Sequence, residues 1–256
     1  PCSRTMARYQ IILAYDGTDF FGSQRQAKAR TVQGELENAL RRIGWGGQSV
    51  LLAGRTDTGV HASGQVAAFD FPNWKHHPAE LSDALNSQLP QDMAVRQVER
   101  VEENFHPRFD ATARCYVYRL FFEPVRDPLK ERFAWRIWPP LEIEALREAA
   151  NLLLGTHDFA AFGTPPRPES TTVRTITRAE WHNHDGELRF TVQAEAFLYR
   201  MVRRMTFIQV AMAQERLSAQ TLAEVMAGSA TGERFPAGLA PAHGLCLVSV
   251  TYPNRE

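Results

Sequence analysis

The chain has 256 residues, 44% of them hydrophobic, and its 29 basic and 29 acidic side chains balance to a formal net charge of zero. That length suits one large or two modest domains with a packed core, and the balance argues against a protein that coats nucleic acid through bulk charge. Cys2, Cys115 and Cys246 stand alone, at spacings that suit neither a zinc site nor a disulfide framework, which fits a reducing compartment.

Residues 1–5 precede Met6 without periodicity and read as a cloning remnant or an upstream extension. Alternation over residues 9–15 predicts a strand, and Val32, Leu36, Leu40 and Ile43 fall on one helical face. Residues 50–53 and 64–71 read as strands flanking a glycine-bearing turn. Leu81, Leu85 and Leu89 mark a second helix after Pro78, and residues 93–101 read as a strand. The first half is therefore β-α-β-β-α-β.

The pattern then restarts. Residues 113–122 predict a long strand, and Leu146, Ala149, Ala150 and Leu153 form a helical stripe ended by Gly155. Residues 173–181 and 188–194 predict a hairpin around His184, Asp185 and Gly186. A long helix is expected from about residue 197 to 214, a shorter one over 219–226, and a last strand over 245–252. The second half repeats β-α-β-β-α-β with an added helix. The expected fold is α+β: two ferredoxin-like halves, 1–104 and 105–256, each an antiparallel sheet with helices on one face, with a ligand cleft where the halves meet. That topology hosts many functions, so it cannot name one. No apolar stretch approaches the roughly 18 residues of a spanning helix, the N-terminus shows no signal-peptide pattern, and the expected location is the cytoplasm.

Residues 54–61 read GRTDTGVH and place one carboxylate, Asp57, between two glycines directly after an apolar run. A strand ending in such a turn can push a carboxylate into a cleft while the glycines let backbone approach a ligand. Ordinary turn chemistry also explains an Asp between glycines. Asp57, Thr58 and Gly59 spell the DTG of an aspartic protease, but that chemistry needs two carboxylates sharing a proton, and the chain has no second DTG or DSG.

Of the 29 basic residues only Lys28, Lys75 and Lys130 are lysines, leaving 26 arginines. Guanidinium suits bidentate phosphate contact and stacking on bases; a codon bias toward arginine explains the same count. Arg200, Arg203 and Arg204 lie at i, i+3 and i+4, opposite an apolar face of Leu198, Met201, Val202, Met205 and Ile208. They read as a solvated face, as an RNA-facing stripe, or as partners of a buried carboxylate. Tyr116 and Tyr118 point to one side of their predicted strand, for packing or for stacking on a base. His76, His77 and His106 lack a carboxylate or cysteine at ligand spacing, so no metal site is expected.

Together these stretches resemble the TruA family of tRNA pseudouridine synthases. The matches run in the family's order over almost the whole chain: YDGTDFFGSQRQ (15–26), TVQGELE (31–37), GRTDTGVHA (54–62) continued by 64–66, FHPRFDATARCYVY (105–118), AFLYRMVR (196–203) and GLCLVSVTYP (244–253). The resemblance implies that Asp57 is the catalytic aspartate, that Tyr116 packs on the target base, that Arg203 is paired with the aspartate, and that Arg55 helps move the target nucleotide out of its stack. It implies conversion of uridine to pseudouridine at tRNA positions 38, 39 and 40 in the anticodon stem-loop, by a homodimer that uses no cofactor. Ser23 departs from the family, where an aromatic usually follows the glycine; Thr206 and Phe207 replace the usual valine and glycine, and Glu195 and Pro107 also differ. The rival reading is a catalytically silent tRNA-binding or tRNA-folding protein of the same fold.

Overall fold

The computed structural model describes residues 7–228 and 235–253; residues 1–5, read above as an extension, lie outside them. The architecture is mixed α+β, with ten strands and five α-helices among the described residues. The chain divides into two compact units, one running to Thr112 and taking in the segment from Leu247 onward, the other spanning Ala113–Cys246.

In the first unit β1 (Arg8–Tyr15), α1 (Val32–Arg42), β2 (Leu51–Leu52), β3 (His61–Asp70), α2 (Pro78–Asn86) and β4 (Met93–Val101) follow in the expected order. β1 lies between β4 and β3, antiparallel to both, and β2 pairs with the distal half of β3. The alternation that predicted β1 is a burial pattern, with Tyr9, Ile11, Leu13 and Tyr15 facing inward. α1 starts at Thr31, whose side chain accepts from the Gly34 amide, and carries Glu35 in its first turn with Arg41 and Arg42 in its last, as its dipole favours. α2 starts in a capping box: His77 Nδ1 accepts from Ala79, and Glu80 accepts from the His77 amide. It ends at Asn86, so Leu89, expected to continue its stripe, lies in the turn beyond. The expected strand at 50–53 is trimmed to two residues, and β3 begins three residues earlier than expected, directly at His61.

The second unit holds β5 (Ala113–Phe121), β6 (Trp135–Arg136), α3 (Ile143–Asn151), β7 (Gly155–Asp158), β8 (Val173–His184), β9 (Glu187–Ala194), α4 (Met201–Ala213) and α5 (Ala219–Met226). β10 (Leu245–Thr251) begins in this unit and runs on into the first. The strand order is β5-β9-β8-β7, antiparallel, with β6 added parallel to β5. The predicted hairpin closes on Asp185 and Gly186, both at positive φ (50° and 76°), the pairing a two-residue turn between twisted strands demands. Trp181 and Phe190 stack at 5.0 Å beneath α4, where the Trp181 indole donates to Gln209 at 2.7 Å.

Two expectations need correction here, and one of the three alternatives for the arginines falls. β6 and β7 were not foreseen; both are short, and β7 is a polar edge strand without an apolar signature. The long helix starts at Met201 rather than near 197, because the Tyr199 backbone pairs with Thr164 in an isolated bridge and Arg200 takes a left-handed conformation (φ 63°). Its arginines are not a solvated face: Arg203 and Arg204 are half-buried and bond backbone carbonyls, while Arg200 alone is exposed.

Candidate active site

The GRTDTGVH turn joins β2 to β3 in the first unit. Thr56 is buried, Asp57 half-buried and Arg55 exposed. All three polar groups of Thr56 are engaged: its amide donates to Ser23 Oγ at 2.9 Å, its carbonyl accepts from the Ser23 amide at 3.0 Å, and its hydroxyl lies 2.8 Å from the Tyr15 hydroxyl. Beyond the aspartate, the Val60 amide closes the turn onto the Asp57 carbonyl at 3.1 Å and the Gly59 amide donates to the Phe20 carbonyl at 3.3 Å. His61 Nδ1 then accepts from the Gly17 amide at 2.9 Å. The turn is thus clamped on both sides of Asp57 by the loop that follows β1.

That loop is itself anchored by a side chain the sequence reading did not single out. Glu37 is fully buried on α1, where Oε1 accepts from Gln33 and from the Val50 amide (2.9 and 3.1 Å) and Oε2 from Arg25 and Arg41 (2.7 and 3.4 Å). A buried carboxylate with four donors holds loop, helix and the approach to β2 in one register. The signal available in sequence was an acid at the edge of the apolar face of α1, one turn after Gln33.

Tyr116 and Arg203 belong to the second unit. Tyr116, on β5 opposite Val192, is 8% exposed and meets Phe197 edge-on at 5.2 Å. Tyr118 is wholly buried and donates to the Pro241 carbonyl at 2.8 Å, so of the two tyrosines it serves packing. Burial pushes its phenol well above the usual value, against the opposing charge of Arg203. Burial likewise raises the neighbouring Cys115 thiol, against the opposing charge of Arg178. Arg203 sits in the first turn of α4; its Nε donates to the Ala240 carbonyl at 2.8 Å and its carbonyl accepts from the Ala240 amide at 3.3 Å. Arg204 donates to the carbonyls of Pro236 and Gly238, both at 2.7 Å. Two successive arginines therefore strap residues 236–240 against α4. Arg55 and Asp57 share one turn; Tyr116 and Arg203 share the second unit's sheet and helix.

Sequence comparison shows which family the chain belongs to. A family profile described as tRNA pseudouridine synthase matches residues 11–110 and 149–253. The chain belongs to the tRNA pseudouridine synthase family. It is 38% identical over 248 residues to the tRNA pseudouridine synthase A of Thermotoga petrophila, covering 96% of this chain and 100% of that protein. Identity to the protein of the same name from Methylacidiphilum infernorum is 42% over 249 residues (97% and 96%), and to tRNA pseudouridine synthase A 1 of Bacillus cereus 37% over 254 residues (97% and 100%). Among solved structures, the crystal structure of a Cbf5-Nop10-Gar1 complex matches 78% of this chain and 44% of that chain at 11% identity and a TM-score of 0.34, a likeness too distant to carry any argument. Membership makes the protein an isomerase of the pseudouridine synthase class. No helix among the described residues is long and apolar enough to cross a membrane.

Proposed function

We propose that this protein converts uridine to pseudouridine at positions 38, 39 and 40 in the anticodon stem-loop of tRNA, with Asp57 as the catalytic carboxylate. The observation that carries this reading is the clamp on the Asp57 turn: in a member of this family, the residue before the aspartate has its amide, carbonyl and hydroxyl all engaged, so the carboxylate leaves a backbone that is already fixed. A module that only binds RNA has no need of a positioned carboxylate.

The reaction breaks the bond between uracil N1 and ribose C1′, turns the base, and forms a bond from C1′ to C5, with the C5 hydrogen leaving as a proton and N1 taking one up. Substrate and product contain the same atoms at the same oxidation level, so the reading calls for no cofactor and no metal. Asp57 serves either as a nucleophile that holds the sugar or base covalently, or as a base that abstracts a proton on the way to a glycal. Either route requires the target nucleotide to leave its stack. We assign Arg55 to that movement, Tyr116 to packing on the loosened uracil, worth about 1–3 kcal/mol per base, and Arg203 to the carboxylate. The exposure of Arg55 and the ring of Tyr116 braced edge-on by Phe197 support these roles.

Within the same reading the protein works in the cytoplasm as a homodimer on the anticodon arm. It is built of two ferredoxin-like halves, 1–104 carrying Asp57 and 105–256 carrying Tyr116 and the arginine helix. The antiparallel order β4-β1-β3 with β2 on β3 supports the first of these.

The test is release of tritium from a tRNA transcript labelled at uridine C5, since bonding at C5 must expel that hydrogen. Release by the parent and none by Asp57→Ala, with tRNA binding retained, supports the reading. No release by either, with tRNA still bound, transfers the protein to the silent binding class.

A further inference from the structure

Ser23 and Tyr15 are buried (0% and 4% exposed), and each hydrogen-bonds Thr56, the residue before Asp57. Thr56 itself is 6% exposed, so its amide has no solvent to fall back on. Ser23 Oγ satisfies that amide, the Ser23 amide satisfies the Thr56 carbonyl, and the Tyr15 hydroxyl fixes the Thr56 side chain. The two chain segments lie so close that a Cβ on Gly22 would stand 3.0 Å from the Thr56 carbonyl oxygen, and Gly22 holds φ +88°, which only glycine adopts without strain. A side chain without an acceptor at position 23 would leave the Thr56 amide unpaired, and a buried amide without a partner forces the backbone to move until it finds one.

We infer that Ser23 and Tyr15 are positioning residues for the reaction: through Thr56 they set the backbone from which the Asp57 carboxylate projects. The inference rests on the reading of Asp57 as the catalytic carboxylate. Small displacements of a reacting group cost rate without costing substrate affinity, because tRNA contacts elsewhere are untouched.

The experiment measures the single-turnover rate of C5 tritium release at saturating tRNA, together with tRNA affinity and binding stoichiometry, so that rates refer to folded enzyme. Ser23→Ala and Tyr15→Phe should each lower the rate about tenfold or more, with tRNA affinity held within about twofold. The double variant should lose less than the product of the two, because both act through one residue. Thr56→Val should share the defect and Thr56→Ser, which keeps the hydroxyl, should recover it. Should Ser23→Ala fail to fold, Tyr15→Phe, which deletes a single oxygen, carries the test with the Thr56 pair. Parental rates per bound tRNA in Ser23→Ala and Tyr15→Phe overturn the inference, as do rate losses that only follow a loss of binding stoichiometry; in both cases a dead Asp57→Ala leaves the functional reading standing. An active Asp57→Ala overturns both.

Discussion

The guanidinium of Arg30 grips both carboxylate oxygens of Asp92, at 2.7 and 2.9 Å, while lying 4.2 Å above the ring centroid of Phe20. Phe20 supplies the carbonyl that the Gly59 amide uses, and the Asp92 carbonyl accepts from the Asp16 amide at 2.9 Å, so one arginine ties the loop after β1 to the entrance of β4. Both side chains remain partly exposed, which screens the pair. We expect Arg30→Met to cost about 1–2 kcal/mol in urea denaturation, and Arg30→Lys to recover less than half of it, because an ammonium cannot reproduce the two-pronged contact.

Glu187 opens β9 with a buried carboxylate that takes the Arg119 guanidinium at 2.7 and 2.5 Å and Arg189 at 3.4 Å. Burial pushes its pKa up, but the bonds and charge of Arg119, with the charge of Arg189, outweigh that and hold it below the usual carboxylate range. A carboxylate with a depressed folded pKa gives stability that is complete above its unfolded value, about 4.3, and is lost as pH falls through the folded value. Glu187→Gln should therefore cost about 2 kcal/mol at pH 7. The gap between parent and variant should shrink steadily below about pH 4 in parallel denaturation curves; a constant gap from pH 7 to pH 3 would show that the charge contributes nothing.

Tyr118 fits between strand and chain reversal so closely that a Cβ on Gly244 would lie 2.5 Å from its Cζ. Tyr118→Phe strands the Pro241 carbonyl and should cost about 1–2 kcal/mol. Gly244→Ala collides with a ring that has no space to yield and should cost more, about 2–3 kcal/mol. Melting temperatures of the two variants decide the order.

Phe207 lies under Gly238: a Cβ there would come within 2.1 Å of the ring, and Gly238 holds φ +147°. Gly238→Ala should destabilise by about 2–3 kcal/mol, part from collision and part from backbone strain. In a Phe207→Ala background only the strain remains, so the cost should fall by about half. A double-mutant cycle that adds without coupling would reject this account.

The first unit was legible because each of its elements carries its own periodic signal. Tyr9, Ile11, Leu13 and Tyr15 alternate inward on β1, and Val32, Leu36 and Leu40 line α1. The second unit was less so. β7 (Gly155–Asp158) is a strand only because β8 offers it an edge, and the start of α4 was misread because the apolar stripe continues through Leu198 while the Tyr199 backbone pairs with Thr164. The side chains of Arg203 and Arg204, indistinguishable in sequence from a solvated face, are drawn in by carbonyls about 35 residues away.

For the site, the sequence by itself supplied the candidates: a carboxylate between glycines, an aromatic strand and an arginine helix, in an order that marks one family. Those are matters of residue type and spacing, which a chain carries before it folds. What only the tertiary structure decided is how the Asp57 turn is held. Ser23, Tyr15 and Glu37 act through hydrogen bonds to groups 13 to 41 residues distant along the chain, and no local pattern records such a partner, because its worth comes from the burial that folding creates.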